Sequence, residues 1–514
     1  MKKHLSVIGM ALSCLVLMQS CKKDIATPNN TPVNNTVTAE NAVVNKSQIT
    51  FAKILAKAVK DDAALRSFLK DESLKQFDND HDVLYQMIKD TKINGTETLH
   101  EKLVRFAASK EELEAVEQQL PLLTIFVPTL PNFSPEKWNS STEVPVVAVS
   151  NTANSGVLFY DDKGKESTIA ADEIPGFPVL LIKQNERVVV GTSTKLTSNS
   201  IGSSAQSSSV YNGDGLVLNF ADEAFNNVNP KVKTNKLSPN RVTGASGIDP
   251  INIAAYNSGN EWHRDYIYYG LTASNPRGQF KNNYSEFITT MRFLTPDALN
   301  MIADQDGDPK MNPAYGHHPG FKDFPSTMWT DGNFEFRITV LINSKNGLGN
   351  DLTKVISVRP GDLFDLQYTM EESKPLKILI YKLKSITPKE YHPNVELVPW
   401  DLQNYGTAWK FIVYEYDNSQ EVTQSYENTT TFAANFEITN SSIEKIGLKF
   451  GASATTSEKR TFSVKTTLTS DYLGEATLSF DQPVITSFDG TNYNTREITT
   501  GNILSLGIEP KRVF

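Results

Sequence analysis

Three aspartates alternate along one short segment of the chain, in a pattern that could hold a metal ion. The segment DQDGD, residues 304–308, places carboxylates at Asp304, Asp306 and Asp308. Carboxylates at alternate positions can converge on one hard cation, as they do in calcium-binding loops. The EF-hand pattern fails, because its glycine and its bidentate glutamate would fall on Pro309 and Tyr315. We therefore favour a solvated acidic turn and keep a calcium loop of another type, with Asp304, Asp306 and Asp308 as its ligands, as the alternative. Calcium is the only candidate cofactor.

A second acidic segment has a similar composition but a different interpretation. Residues 78–82 read Asp-Asn-Asp-His-Asp and precede an apolar stretch with helical spacing. A carboxylate at the start of a helix accepts hydrogen bonds from the backbone N–H groups of the first turn. We therefore interpret this segment as the N-terminal cap of the helix that follows.

Histidine-containing motifs are incomplete wherever they occur. His100-Glu101 begins like the zinc-protease pattern, but position 104 is Val104 and a second imidazole is missing. The triplet HRD at 263–265 lacks the glycine-rich loop and the metal-binding Asp-Phe-Gly of a kinase, so we interpret it as an ion pair. His317 and His318 are adjacent, and adjacent side chains of an extended chain point to opposite faces. We identify no catalytic residue.

Aromatic residues are concentrated in the second half of the chain. Exposed rings stack on sugars and other flat ligands, whereas buried rings fill the cores of β-sandwiches. We favour the core interpretation and keep the binding platform as the alternative. The residues concerned are Trp262, Tyr266, Tyr268, Tyr269, Trp329, Trp400, Tyr405 and Trp409.

The first twenty residues have the three parts of an export signal. Lys2 and Lys3 give a positive start, residues 5–18 are apolar, and Ser20 is a small residue before Cys21. The apolar run is shorter than the roughly 20 residues that a membrane-spanning helix needs. The segment is therefore expected to be removed and is not part of the fold.

Ser20 and Cys21 resemble the end of the lipobox of bacterial lipoprotein signals. Met18 and Gln19 depart from the usual residues of that motif. The resemblance implies cleavage after Ser20 and acylation of Cys21, for example with palmitate. The Asn-, Thr- and Pro-rich stretch 22–40 is typical of a flexible stalk, and it resembles lipoproteins of the Bacteroidota. We therefore expect a lipid anchor in the bacterial outer membrane, on the periplasmic or the cell-surface face.

The composition excludes some partners and some chemistry. The chain of 514 residues has a formal charge of −9, and loss of residues 1–20 with their two lysines lowers it to −11. Binding to nucleic-acid phosphates needs clustered Lys and Arg, so we exclude nucleic acid as a partner. The two cysteines are Cys14 and Cys21. The mature fold therefore has no disulfide, and a cysteine-bound zinc is excluded.

Periodicity divides the chain into regions of different character. Apolar residues repeat at helical spacing as far as Leu120, before Pro121, and alternate with a period of two in segments such as 334–342. Two short segments, the apolar run 179–182 and the run from Arg187 to Val190, flank four polar residues and predict a hairpin. The predicted regions are a signal peptide (1–20), a stalk (21–45), a helical domain (46–120), a small β unit (121–192), a Ser- and Asn-rich linker (193–247) and a β-sandwich region of one or two domains (248–514).

The sequence thus predicts an α+β multidomain protein with a small N-terminal helical bundle and a large C-terminal antiparallel β-sandwich region. Its body resembles uncharacterised secreted lipoproteins of the same bacteria. We favour a non-enzymatic binding or interaction module for a glycan, peptide or protein ligand, the identity of which the sequence leaves open. One alternative is a hydrolase that uses two carboxylates, which no motif would reveal. Another is a membrane-active protein, because residues 424–480 loosely resemble the amphipathic hairpins of aerolysin-like pore formers.

Overall fold

Capping residues set the limits of the N-terminal helices in the computed structural model of the chain. Asp62 accepts a hydrogen bond from Leu65 N at 3.0 Å and caps the start of the helix Ala63–Leu74. Thr98 and Glu101 form a reciprocal capping box at the start of the helix Leu99–Val104. The helix Lys110–Gln119 ends just before Pro121, as predicted.

The structure describes residues 34–150, 156–191, 209–228 and 247–513, with gaps at 273, 276, 305–307, 312–327, 346–349, 375, 418–420, 434–437, 440–441 and 444–454. The chain divides into two units, Met1–Val43 and Val44–Phe514, and the fold below is that of the second unit. The predicted signal, Cys21 and residues 22–33 of the predicted stalk lie outside the described residues, as do much of the predicted linker and the two histidines at 317–318. Residues 34–45, predicted as part of the flexible stalk, belong instead to the helix Asn34–Asp61, so the prediction is wrong over this part.

The described helices fall into an N-terminal group and scattered short helices in the rest of the chain. The N-terminal helices are Asn34–Asp61, Ala63–Leu74, Tyr85–Ile88, Leu99–Val104 and Lys110–Gln119. The later helices are Pro250–Asn257, His263–Tyr269, Leu299–Ile302, Met328–Asp331 and Pro360–Leu363, with 3-10 helices at Glu223–Phe225 and Pro296–Ala298. Among the described residues, no helix combines the length and the apolar composition that crossing a bilayer requires.

Strands make up most of the remaining chain. Numbered in chain order, they are β1 (Asp82–Leu84), β2 (Lys92–Ile93), β3 (Glu97–Thr98), β4 (Leu123–Phe126), β5 (Val146–Val149), β6 (Val157–Tyr160), β7 (Glu166–Ile169), β8 (Ile174–Pro175), β9 (Val179–Gln184), β10 (Val188–Val190), β11 (Ser209–Gly213), β12 (Leu216–Phe220), β13 (Gly278–Gln279), β14 (Tyr284–Phe293), β15 (Phe334–Leu341), β16 (Asp351–Val358), β17 (Phe364–Ser373), β18 (Ile378–Pro388), β19 (Val395–Glu396), β20 (Ala408–Glu415), β21 (Glu421–Ala433), β22 (Ile438–Thr439), β23 (Ser442–Ile443), β24 (Thr455–Thr467), β25 (Tyr472–Ser479), β26 (Ile485–Phe488), β27 (Tyr493–Thr495), β28 (Glu497–Thr500) and β29 (Leu504–Arg512).

A six-stranded sheet with the order β1-β4-β9-β5-β6-β7 joins the helical region to the small β unit. Only the β5–β9 pair is parallel. Val83 and Leu84, predicted as helical, belong to β1 because they pair with β4. The predicted hairpin of 179–182 with 187–190 is also wrong. Both edges of β9 are occupied by β4 and β5, so β10 pairs instead with β12.

Two four-stranded sheets face each other in the C-terminal region, which confirms the predicted antiparallel β-rich architecture. Their orders are β19-β14-β29-β28 and β16-β15-β20-β25. Phe293 of β14 packs on Phe336 of β15, with ring centroids 5.9 Å apart. The other face of β20 is covered by the ribbon of β21 and β24, where Phe462 and Val464 cluster with Ile412. The apolar strand β20 is thus buried on both faces, as its composition predicts.

Candidate metal centre

Five carboxylates from three separate parts of the chain meet at one end of strand β20. We call them the acidic centre: Asp304, Asp308, Glu415, Asp417 and Asp471. The first two lie on the loop after the helix Leu299–Ile302, the next two at and just beyond the end of β20, and the last immediately before β25. The electrostatic contacts among these five side chains place them together.

Antiparallel pairing explains why the two strand ends coincide. β20 and β25 pair along their length, and the N–H of Glu415 donates to the carbonyl of Asp471 at 2.9 Å. Beyond this bond the N–H of Asp417 donates to Ser470 Oγ at 3.3 Å, and Thr467 Oγ1 donates to the carbonyl of Asp417 at 2.6 Å. These backbone contacts fix the positions from which the carboxylates project.

The spacing of the carboxylate oxygens suits a single cation. One oxygen each from Asp308, Glu415 and Asp417 lies within 4.8 Å of the other two. A calcium ion binds oxygens at about 2.3–2.6 Å, so its ligands lie within about 5 Å of one another. The described groups offer only oxygen donors, which favours calcium or magnesium over zinc.

Burial makes these carboxylates costly without a partner. Glu415 is 2% exposed and Asp308 6% exposed. Within the described part of the chain, Glu415 Oε2, Asp417 Oδ2 and Asp471 Oδ2 are buried and have no hydrogen-bond partner. A buried charged oxygen without a partner costs free energy that a bound cation would offset.

The pKa values of the centre reflect the crowding of negative charge. Burial raises the pKa of Glu415 well above its usual range, and the neighbouring carboxylates, led by Asp417 and then Asp308, raise it further. Burial, together with the Asp304 charge, raises the pKa of Asp417 and of Asp471 to about 6 each. A divalent cation would reverse these shifts, because it favours the ionised form of each carboxylate.

The structure brings together part of the alternative calcium loop and adds carboxylates that the sequence did not reveal. Asp304 and Asp308 belong to the acidic centre, whereas Asp306 lies outside the described residues. Glu415, Asp417 and Asp471 were not predicted. One signal existed for Glu415, which is the one carboxylate in a strand that is buried on both faces and, apart from Lys410, is otherwise apolar or aromatic.

The capping interpretation of residues 78–82 is wrong. The helix Tyr85–Ile88 has Leu84 at its N-cap and no side-chain cap. Asp78 and Asp82 are instead fully buried, and both accept hydrogen bonds from the side-chain amide of Asn185. The aspartates of this segment therefore make tertiary hydrogen bonds to Asn185, just after β9, and do not cap a helix.

The HRD triplet at 263–265 is a structural element, as predicted from its missing kinase partners. Arg264 makes a bidentate ion pair with Glu286, at 2.8 and 2.9 Å, and both side chains are buried. His263 Nδ1 accepts hydrogen bonds from the N–H groups of Val484 and Ile485. Burial and the adjacent arginine lower the pKa of His263 to about 4.

The remaining candidate residues also have structural contacts. His100 Nδ1 lies 2.7 Å from Glu117 Oε1, so this imidazole pairs with a carboxylate. Five of the eight aromatic residues singled out by the sequence are buried in the core, as favoured: Tyr268, Tyr269, Trp329, Trp400 and Trp409.

Comparisons with known proteins add no relative. No protein-family model matches the chain, and neither the curated proteins nor the solved structures provide a match. Function must therefore be argued from the geometry of the acidic centre.

Proposed function

We propose that this protein is a lipid-anchored, non-enzymatic binding lipoprotein of the bacterial outer membrane that uses a calcium ion held by the acidic centre. The observation that supports the proposal is the convergence of buried carboxylates with unpartnered oxygens around Glu415. The ion would tie the loop carrying Asp304 and Asp308 to the ends of β20 and β25. Its function would be to hold that surface in the shape that binds a glycan, peptide or protein ligand.

The expected location is compatible with a site of modest affinity. Calcium sites in extracellular modules have dissociation constants of about 10⁻⁴–10⁻³ M. The export signal and the lipobox-like Ser20-Cys21 support placement outside the cytoplasm. A calcium site of this class would then be filled by the surrounding medium rather than by a regulated signal.

The geometry favours cation binding over carboxylate-based hydrolysis. Glycosidases hold their two carboxyl groups about 5–5.5 Å apart for retention and about 6.5–9.5 Å apart for inversion, and both groups face the substrate. Glu415 is 2% exposed and Asp308 6% exposed, so these two carboxyl groups do not face a substrate. The hydrolase alternative therefore has no support from this centre.

The membrane-active alternative stays a prediction. The ribbon of β21 and β24 pairs over thirteen residues per strand. Its buried face carries Phe432 and Phe462, but the guanidinium of Arg460 also lies on this face, 4.9 Å from the Phe432 ring. A lipid-facing surface disfavours such a charge.

Calcium binding is tested first by thermal melting and isothermal titration of the purified protein, with calcium, magnesium, zinc and a chelator. A ligand that binds only the folded state adds about 2.7 kcal/mol of stability at a hundredfold excess over its dissociation constant. We expect calcium to raise the melting midpoint and chelator to reverse the effect. A midpoint that does not respond to any of the cations would refute the proposed site.

Anchoring is tested separately by Cys21→Ser. We expect the wild-type protein in the outer-membrane fraction with an incorporated acyl label, and the variant without label. Equal labelling of both proteins would refute acylation at Cys21. This outcome would leave the calcium site unaffected, because Cys21 lies outside the unit that carries the acidic centre.

A further inference from the structure

A buried lysine and a buried aspartate meet across strand β4 of the six-stranded sheet. Asp82 of β1 lies opposite Phe126 of β4, and Lys183 of β9 lies opposite Thr124 of the same strand. Opposed residues share a face of a sheet, and so do residues two apart. Lys183 and Asp82 therefore project from the same face, on either side of β4.

Lys183 reaches over the ring of Phe126 to Asp82. Its Nζ lies 4.6 Å from the ring centroid and 3.3 Å from Asp82 Oδ1. Lys183 is 5% exposed and Asp82 is fully buried. An amine and a carboxyl group are thus held almost in contact, in a site that excludes bulk water.

The two oxygens of Asp82 have different surroundings. Oδ2 accepts a hydrogen bond from the amide of Asn185 at 3.1 Å and lies 3.7 Å from Nη1 of Arg187. Oδ1, the oxygen beside the lysine, accepts no hydrogen bond from the described residues. Negative charge on Oδ2 would be stabilised by two donors, while Oδ1 is the oxygen that could leave.

A base stands on the other side of the amine. Lys183 Nζ donates to both carboxylate oxygens of Glu186, at 2.9 and 3.1 Å. Glu186 is partly exposed. It can therefore accept a proton from the amine and return one to a leaving oxygen.

We propose that Lys183 and Asp82 form an intramolecular isopeptide bond. Asp82 reacts as the carboxylic acid, with its proton on Oδ1. Glu186 accepts a proton from the ammonium group, and the neutral Nζ attacks Cγ of Asp82, so that Oδ2 carries the negative charge of the tetrahedral intermediate. The C–N bond forms, Glu186 returns its proton to the Oδ1 hydroxyl, the bond from Cγ to Oδ1 breaks, and water leaves. Glu186 then takes the second proton from the nitrogen and releases it to solvent. In balance, one ammonium and one carboxylic acid give one amide, one water and one proton, without an oxidant or a co-reactant.

Proton transfer from Lys183 is the demanding step of this route. Burial raises the pKa of Asp82 well above its usual range, which favours the carboxylic acid that an amine can attack. Neighbouring carboxylates raise the pKa of Lys183 despite its burial, and the charges of Lys183 and Arg187 lower the pKa of Glu186 despite burial. Both shifts oppose the transfer to Glu186, which therefore limits the rate. Close approach and exclusion of water together favour amide formation over hydrolysis.

The mass of the intact, denatured protein tests the proposal directly. We expect the wild-type chain to be lighter than its sequence mass by one water molecule. Proteolysis should yield one branched peptide that contains both Asp82 and Lys183. A wild-type chain of full sequence mass, with the two residues in separate linear peptides, would overturn the proposal whether or not any variant folds.

Substitutions identify the reacting groups. Lys183→Arg should restore the full mass, and Asp82→Asn should lose ammonia instead of water, because an amide then takes the place of the acid. Glu186→Gln should accumulate uncross-linked chain at early times after refolding. Lys382→Arg is the matched control, since Lys382 pairs with Asp172 at 3.0 Å on the surface and should leave the loss of water unchanged. Loss of water that persists in Lys183→Arg would overturn the assignment.

Discussion

Asp417→Asn is expected to stabilise the calcium-free protein and to weaken calcium binding at the same time. In the folded protein, burial and the Asp304 charge hold the pKa of Asp417 at about 6, above its ordinary value of 3.8. A raised carboxyl pKa contributes stability below pH 4, and that stability is lost as the pH rises through 6. At pH 8 the wild-type aspartate is ionised at a cost, whereas asparagine carries no charge.

The size of the stabilisation follows from the pKa difference. A difference of about two pH units, at about 1.4 kcal/mol per unit, corresponds to about 3 kcal/mol at pH 8. Asp417 is only partly buried, so solvent screening reduces this value to about 1–2 kcal/mol. Loss of one charged ligand should weaken calcium binding by at least about tenfold, which is about 1.4 kcal/mol.

Urea unfolding at pH 8 measures both effects on the same protein. The variant should unfold at higher urea than the wild type in chelator, and should gain less from added calcium. Asp365→Asn is the control, because Asp365 is exposed on β17 and lies outside the acidic centre. A variant that is destabilised equally in chelator and in calcium would show that Asp417 supports the fold and does not bind a cation.

One change of pH and three substitutions give further direct tests. Calcium affinity should fall about tenfold per aspartate between pH 8 and pH 5, because protons compete for Asp417 and Asp471 below their pKa of about 6. Titration calorimetry should show that calcium binding releases protons at pH 6. An affinity that does not depend on pH would contradict the site. Glu286→Gln leaves a buried arginine without its charge partner and should cost about 3–5 kcal/mol in urea unfolding. Glu497→Gln, in a partly exposed pair, should cost at most about 1 kcal/mol, so equal costs would contradict the role of burial. Gly332→Ala should lower the melting midpoint and reduce the free energy of unfolding by about 2–4 kcal/mol. The reason is that Gly332 has φ +82° and that a Cβ there would lie 2.3 Å from Asp80 Oδ2. An unchanged midpoint would contradict this contact.

Local patterns were sufficient to predict the longer elements of the fold. Clean alternation over 334–342 predicted β15. The mostly apolar composition of β20 is likewise that of a strand buried on both faces, which the structure shows. β1 was missed because its three residues become a strand only by pairing with β4, about forty positions later. The false hairpin at 179–190 has the same origin, since the sequence does not show that both edges of β9 are already occupied.

The candidate site was predictable only where its ligands are close in the sequence. Asp304 and Asp308 stand out because carboxylates at alternate positions form a local pattern. Glu415, Asp417 and Asp471 come from two strand ends, and a loop more than one hundred residues earlier must meet them. No spacing rule connects such positions, so they become visible only after the strands pair. The one local sign was Glu415, a carboxylate within a strand that is buried on both faces.

The two proposed sites follow from one physical constraint, which each resolves in a different way. A carboxylate that loses water must regain an equivalent interaction, because the cost of an unpartnered buried charge is several kcal/mol. At Glu415 the surrounding charges that set its pKa are carboxylates, so a divalent cation is the natural partner. At Asp82 an amine is already in place at 3.3 Å, with a base behind it, so the charge can be removed by forming an amide. Calcium should therefore change the stability of the protein and leave its covalent mass untouched, whereas Lys183→Arg should change the mass and leave calcium binding intact.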